Sequence, residues 1–152
     1  MTAFQARQAE EILNRQSGWR ALTGTTDFRL ITEHASSTSD ASDPNKLAFD
    51  MFVDRIMGYI GSYHLKLGGQ IDALVFSGGV GEKSNILRQV IGTKVECLGY
   101  VGIDPERNQS PGEGIVVDIG KRDGDTETSR KILVCRTDEQ VRPVQYSCNN
   151  NE

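Results

Sequence analysis

The hydrophobic positions of this chain change period several times, and each change predicts an element. Between Asp43 and Leu67, apolar residues return every three or four positions at Ala48, Met51, Phe52, Ile56, Tyr59, Ile60, Tyr63 and Leu67. That spacing predicts one long amphipathic helix, with Asp50, Asp54 and Lys66 on its outer side. Asp43-Pro44 is a capping carboxylate followed by proline at the first helical position, and Gly68-Gly69 supplies the end. Gly58 and Gly61 weaken a helix, so their presence predicts close packing against another backbone. A second helical pattern runs from Thr2 to Asn14 with Phe4, Ala9, Ile12 and Leu13 inward, and Gly18 can cap it in a left-handed conformation.

Elsewhere the period shortens. Ala73-Leu74-Val75-Phe76 is a continuous apolar run bounded by turn residues, the pattern of a strand buried on both faces of a parallel sheet. The glycines Gly78, Gly79 and Gly81 then bend the chain, and Ser84 to Ile91 reads as a helix with one apolar side. Val95 to Ile103 alternates loosely. Ile115 to Ile119 and Lys131 to Cys135 are strands, and the polar connector between them predicts a hairpin. Glu33 to Asp43 is small, polar and aperiodic, so it reads as a surface loop with His34 solvated. The order is a mixed α/β pattern with few strands for a complete sheet.

Composition narrows the picture. A chain of 152 residues is long enough for one ordinary domain. Its net charge of -4 gives no reason to expect nucleic acid or an anionic membrane as partner. No segment is apolar enough to cross a bilayer, and Met1 to Gln16 lacks the apolar centre of a signal peptide, so a cytoplasmic protein is expected. Cys97, Cys135 and Cys148 share no metal-ligand spacing, and an odd number cannot all pair within the chain. Cys97 and Cys135 stand among apolar residues and are expected to be inert core residues.

The candidate chemistry lies in three loops. A strand, a glycine turn and a helix in succession present backbone N–H groups with no Cβ to block a ligand. The segment Gly78 to Lys83 is neither G-x-G-x-x-G nor a P-loop, and Glu82 repels phosphate. It therefore suits the ribose or base edge of a nucleotide, with a purely structural turn as the alternative. A second loop, Thr23 to Arg29, combines hydroxyls with Asp27, Phe28 and Arg29. An aromatic or guanidinium plane can stack on a purine while Asp or Thr bonds ribose hydroxyls. The alternative is a capped helix start with Phe28 in the core. Thirdly, Thr137 to Gln140 follows a strand, at the sheet edge where ligands bind in open α/β folds. A carboxylate there can hold Mg²⁺ directly or through water, and a surface turn is the alternative.

These blocks together resemble the acetate kinase family. Asp72-Ala73-Leu74-Val75-Phe76-Ser77-Gly78-Gly79-Val80-Gly81-Glu82 is similar to its D-A-[VL]-V-F-T-G-G-I-G-E-N stretch. Gln16-Ser17-Gly18 through Asp27-Phe28-Arg29 resembles its K-S-G-L-L-G segment ending in S-D-x-R. Leu98-Gly99 through Asp104 and Asn108 resembles L-G…D-x-x-x-N, and Thr137 to Gln140 resembles T-N-E-E. The resemblance implies an α/β fold, a partial actin-like ATPase (ribonuclease H-like) domain matching the C-terminal half of an acetate kinase. Residues 1–146 would form its nucleotide-binding portion, and 147–152 a disordered tail. It implies an enzyme that transfers the γ-phosphoryl of ATP to acetate, giving acetyl phosphate and ADP with Mg²⁺. Asp27, Phe28 and Arg29 would contact adenosine, as would Gly79, Val80, Gly81, Glu82 and Lys83, and Glu139 would be the Mg²⁺-associated carboxylate. Lys83 stands where the family usually has Asn, and Asp138 and Gln140 replace Asn and the second Glu. The acetate pocket and the catalytic Arg and His residues have no counterpart, so acetate or acetyl phosphate would be bound by an N-terminal part. The chain alone is then expected to be catalytically incomplete, with a homodimer as a further expectation. A non-catalytic nucleotide-binding or interaction module and a propionate or butyrate kinase fragment are the competing readings.

Overall fold

The computed structural model describes residues 3–121 and 130–137. Helices α1 (Ala3–Arg15), α2 (Trp19–Thr23), α3 (Phe28–Ser37) and α4 (Pro44–Lys66) come first. Strand β1 (Ala73–Phe76) leads into α5 (Gly78–Lys83) and α6 (Asn85–Val95). A 3-10 turn at Glu96–Leu98, helix α7 (Pro105–Gln109) and strands β2 (Val116–Asp118) and β3 (Lys131–Cys135) follow. The architecture is α/β.

The sheet order is β1-β3-β2. β2 and β3 are antiparallel, with Val116 opposite Cys135 and Asp118 opposite Leu133, as the hairpin pattern predicts. Residues 122–129 of the connector lie outside the described residues. β1 and β3 are parallel, Ala73 opposite Lys131 and Phe76 opposite Val134. The central strand is therefore β3, not β1. Its Ile132 and Val134 are buried, whereas Val75 of β1 is 50% exposed. A continuous apolar run does not distinguish a central strand from one with an open face, and here only Phe76 of β1 is fully covered. The Val95 to Ile103 stretch adds single bridges at Tyr100 and Ile103, because its first residues complete α6 and the 3-10 turn.

The parallel pairing brings the C-terminal ends of β1 and β3 to one edge of the sheet, beneath α5. The α3 and α4 helices pack against each other. Trp19, Phe28, Phe49 and Phe52 form an aromatic cluster there, with Trp19–Phe28 centroids 4.9 Å apart and Phe28–Phe52 5.0 Å apart. This cluster decides which side of α4 is inside. Ala48, Phe49 and Val53 are buried and Phe52, Ile56, Met57 and Ile60 half-buried, while Met51, Tyr59, Tyr63 and Leu67 are exposed. The expected face was thus rotated, since apolar residues cover more of the helix than its partners do. A Cβ at Gly58 or Gly61 would meet nothing within 4 Å, so neither permits a close backbone approach.

Two other expectations change. Glu33 to Ser37 is helical, because Ile31, Thr32 and Ala35 give α3 a buried stripe and its serine hydroxyls donate back to Glu33 O and His34 O. Only 38–43 remains a loop. Helix α1 forms, but Ile12 and Leu13 are 47% and 68% exposed among the described residues. Cys97 is exposed and Cys135 half-buried, so Cys97 is not a core residue; Cys148 lies outside the described residues. None of the described helices is long and apolar enough to cross a membrane.

Candidate functional site

The glycine segment is itself a helix rather than an open bend. Gly78, Gly79 and Gly81 are half of α5, and each glycine costs a helix about 1 kcal/mol relative to alanine. Side chains hold both ends. Glu82 Oε1 accepts the Gly78 N–H at 2.9 Å, closing the helix start on itself. The same oxygen accepts the Thr137 N–H at 2.9 Å and its hydroxyl at 3.0 Å, tying α5 to the end of β3. The Thr137 backbone bond, with those from the Thr137 hydroxyl and Gly78, holds the Glu82 carboxyl below the ordinary carboxylate range. Gly81 lies on the end of β1, where a Cβ would sit 3.4 Å from the Phe76 carbonyl carbon. At the far end, Arg88 Nη1 donates to Gly81 O and Glu82 O at 2.9 and 2.7 Å.

The opposite wall is the start of α3. Asp27 is its N-cap, and its Oδ1 accepts the Arg29 N–H at 2.9 Å. Thr25 Oγ1 accepts the Asp27 N–H at 3.1 Å, which fixes the approach of the loop. Arg29 lies at the surface between two carboxylates, 3.4 Å from Glu33 Oε1 and 4.0 Å from Asp27 Oδ2. Phe28 turns into the aromatic cluster and is 9% exposed. Its ring face is therefore not free to stack on a ligand, and the capped helix start with Phe28 in the core is the conformation observed.

Between the walls is a cleft of about 430 Å³. Asp27, Phe28, Arg29, Thr32 and Glu33 line one side, and Gly79, Val80, Lys83, Ser84, Asn85 and Ile86 the other. Six of the eight residues singled out around the two loops thus share one hollow. Gly81 and Glu82 do not line it: one packs on β1 and the other faces Thr137. Thr32, Glu33, Ser84, Asn85 and Ile86 were missed. Glu33 is one helical turn beyond Arg29, a spacing that puts both on one face. Ser84 to Ile86 directly continue the glycine segment, and Ser84 caps α6 by accepting the Leu87 N–H at 3.2 Å.

The lining favours a flat, largely uncharged guest. Val80, Ile86 and Phe28 are apolar, and the charged side chains are two carboxylates, Asp27 and Glu33, and two cations, Arg29 and Lys83. The size suits a small-molecule site. Carboxylates can accept from ribose hydroxyls or an amino group, and the cations can donate to ring nitrogens. A polyphosphate would meet as much repulsion as attraction here. Glu139, the Mg²⁺ candidate, lies outside the described residues. No three His, Cys, Asp or Glu side chains converge on a metal-sized site among the described residues.

The sequence model of the acetokinase family matches residues 1–145. The chain is 47% identical over 146 residues to a probable acetate kinase of Emericella nidulans, covering 95% of this chain and 33% of that protein. It is 43% identical to a probable acetate kinase of Neurospora crassa, covering 95% and 35%. A solved propionate kinase from Francisella tularensis superposes with a TM-score of 0.65 at 30% identity, over 87% of this chain and 31% of the other. The solved acetate kinase of Entamoeba histolytica has a TM-score of 0.69 at 24% identity, over 88% and 33%, which speaks for the fold alone. The chain spans about a third of the length of the curated relatives it matches.

Proposed function

The chain belongs to the acetokinase family, and on that premise we propose that it forms the nucleoside-binding side of an acetate kinase that exchanges a phosphoryl group between ATP and acetate. The observation that carries this reading is the single cleft walled by the Asp27 to Glu33 turn of α3 and the Gly79 to Ile86 stretch of α5 and α6. Adenosine would slide its ring between Val80 and Ile86, with the edge rather than the face of Phe28 against it. Asp27 and Glu33 would accept ribose or amino hydrogens. Arg29, held between these carboxylates, would lie over the ring or donate to it.

Phosphoryl transfer depends on positioning and on neutralising charge at the phosphates. The balanced lining of this cleft does not supply that neutralisation, so the phosphates would extend away from it. Glu82 joins Thr137 at the C-terminal edge of β1 and β3, and the Mg²⁺ candidate Glu139 is two residues further on in the sequence. The ion would neutralise phosphate charge there when bound. Acetate would be bound by residues outside the part of the family that this chain spans.

Calorimetry with ADP tests the reading. Arg29→Ala and Gly79→Asp are each expected to weaken ADP at least tenfold. A Cβ at position 79 meets nothing within 4 Å, so aspartate there fits the fold while projecting charge towards the cleft. If both variants bind ADP like the parent, the cleft is not the nucleoside site.

A further inference from the structure

Helix α5 is the wall of the cleft with the least intrinsic reason to be helical. Half of its six residues are glycine, and the last carbonyls of so short a helix have no partners within it. Arg88, in the first turn of α6, provides them. Its Nη1 donates to Gly81 O and Glu82 O at 2.9 and 2.7 Å. Its Nε donates to Asn108 Oδ1 at 2.8 Å and its Nη2 to Asn108 O at 2.7 Å. Asn108 in turn donates from Nδ2 to Asn85 O at 2.9 Å, back at the start of α6. Arg88 is 2% exposed and Asn108 4%, and among the described residues no carboxylate pairs with this guanidinium.

Burial lowers the Arg88 pKa, yet an arginine side chain stays protonated in proteins, so among the described residues a full charge is held here by neutral oxygens. For stability alone that is a poor use of the volume, since a well-packed apolar residue often does as well or better. The planar fork does something an apolar residue cannot: it fixes the direction of two carbonyls at the end of one helix and anchors them to another.

We propose that Arg88 is a positioning residue, which with Asn108 as its anchor holds the end of α5 and sets Gly79, Val80 and Lys83 against the cleft before any ligand arrives. What the cleft binds rests on the nucleoside reading above; the hold on α5 does not.

Hydrogen–deuterium exchange on the 152-residue chain, with ADP calorimetry on the same samples, separates the two. Arg88→Lys keeps the charge and loses the fork, and Asn108→Ala removes the side-chain anchor while leaving Arg88 in place. In both, amides of Val80 to Ser84 are expected to exchange at least tenfold faster, with those of Phe49 to Ile60 in α4 unchanged. The dissociation constant for ADP should rise at least fivefold. Unchanged exchange at Val80 to Ser84 overturns the proposal. So does equal acceleration throughout α4, or failure of both variants to fold, because either marks an ordinary core residue. Faster exchange in α5 with undiminished ADP affinity also overturns it. If the parent binds no ADP, the nucleoside reading fails while the exchange rates still decide whether Arg88 holds α5.

Discussion

Asp27, Phe28 and Arg29 are consecutive, yet each side chain has a different employer. Asp27 caps α3, Phe28 fills the aromatic cluster, and Arg29 stands 72% exposed between carboxylates. Phe28→Ala is therefore expected to cost about 3–5 kcal/mol of stability in urea denaturation, whereas Arg29→Ala should stay within about 0.5 kcal/mol. Similar losses for both would mean that Phe28 is not in the core. The cap was legible in the sequence because an Asp before an apolar-periodic run has one common use. The direction of Phe28 was not, because it is chosen by Trp19, Phe49 and Phe52, which are distant in the chain. Arg88 was invisible for the opposite reason: an arginine is normally read as surface. Glu82 gives a pH signature. Its pKa is depressed in the folded state, chiefly by the Thr137 backbone bond, so its contribution is present above its ordinary value of 4.5 and lost as pH falls through the lower folded value. Glu82→Gln should accordingly be less stable than the parent at pH 7, with the gap narrowing towards pH 3. Asp40 and Asp43, also depressed by bonds to backbone N–H groups, keep their own acid dependence in both proteins. Urea midpoints that differ by the same amount at both pH values would remove Glu82 from that role.

Among the elements, α4 shows what periodicity fixes and what it leaves free. Its start was legible down to the residue: Asp43 Oδ1 accepts the N–H groups of Asn45 and Lys46 at 2.8 and 3.0 Å, with Pro44 next in line. Its orientation was not, because apolar residues occupy more than one side and the pattern is satisfied by several rotations. The α2 and α3 helices choose the side bearing Phe49, Phe52 and Val53. Val53→Ala should cost about 2 kcal/mol and Met51→Ala, 57% exposed, less than about 0.5 kcal/mol in the same denaturation assay. The reverse order would restore the face that spacing alone predicts. The strand β1 makes a related point. Its four apolar residues are equally consistent with a central and an outer position, and only pairing with β3 on one edge decides between them. α5 was read as a bend because three glycines outweigh any helix propensity. The bonds that hold it helical come from Glu82 within the segment, from Arg88 on the next helix and from Thr137 at the end of β3, and a local window does not show that these side chains turn back onto α5.

For the whole molecule, the cleft joins two stretches about fifty positions apart. A ligand held by both walls binds the folded chain and not the unfolded one, so its affinity must appear as added stability. At a hundred times its dissociation constant that is about 2.7 kcal/mol, several degrees in the melting temperature of a chain this size. The charges lining the cleft determine which ligands should produce it. Two carboxylates and two cations line it, so on the nucleoside reading the ribose and base would be the part recognised and the phosphates would add little within this chain. Adenosine and ADP, each at saturating concentration, are expected to raise the melting temperature alike, and inorganic pyrophosphate not to raise it. A rise with ADP and pyrophosphate but not with adenosine would place recognition on the phosphates, in conflict with the neutral lining. Raising the salt concentration should leave the adenosine effect nearly unchanged, because screening weakens interactions of net charge and this guest carries none.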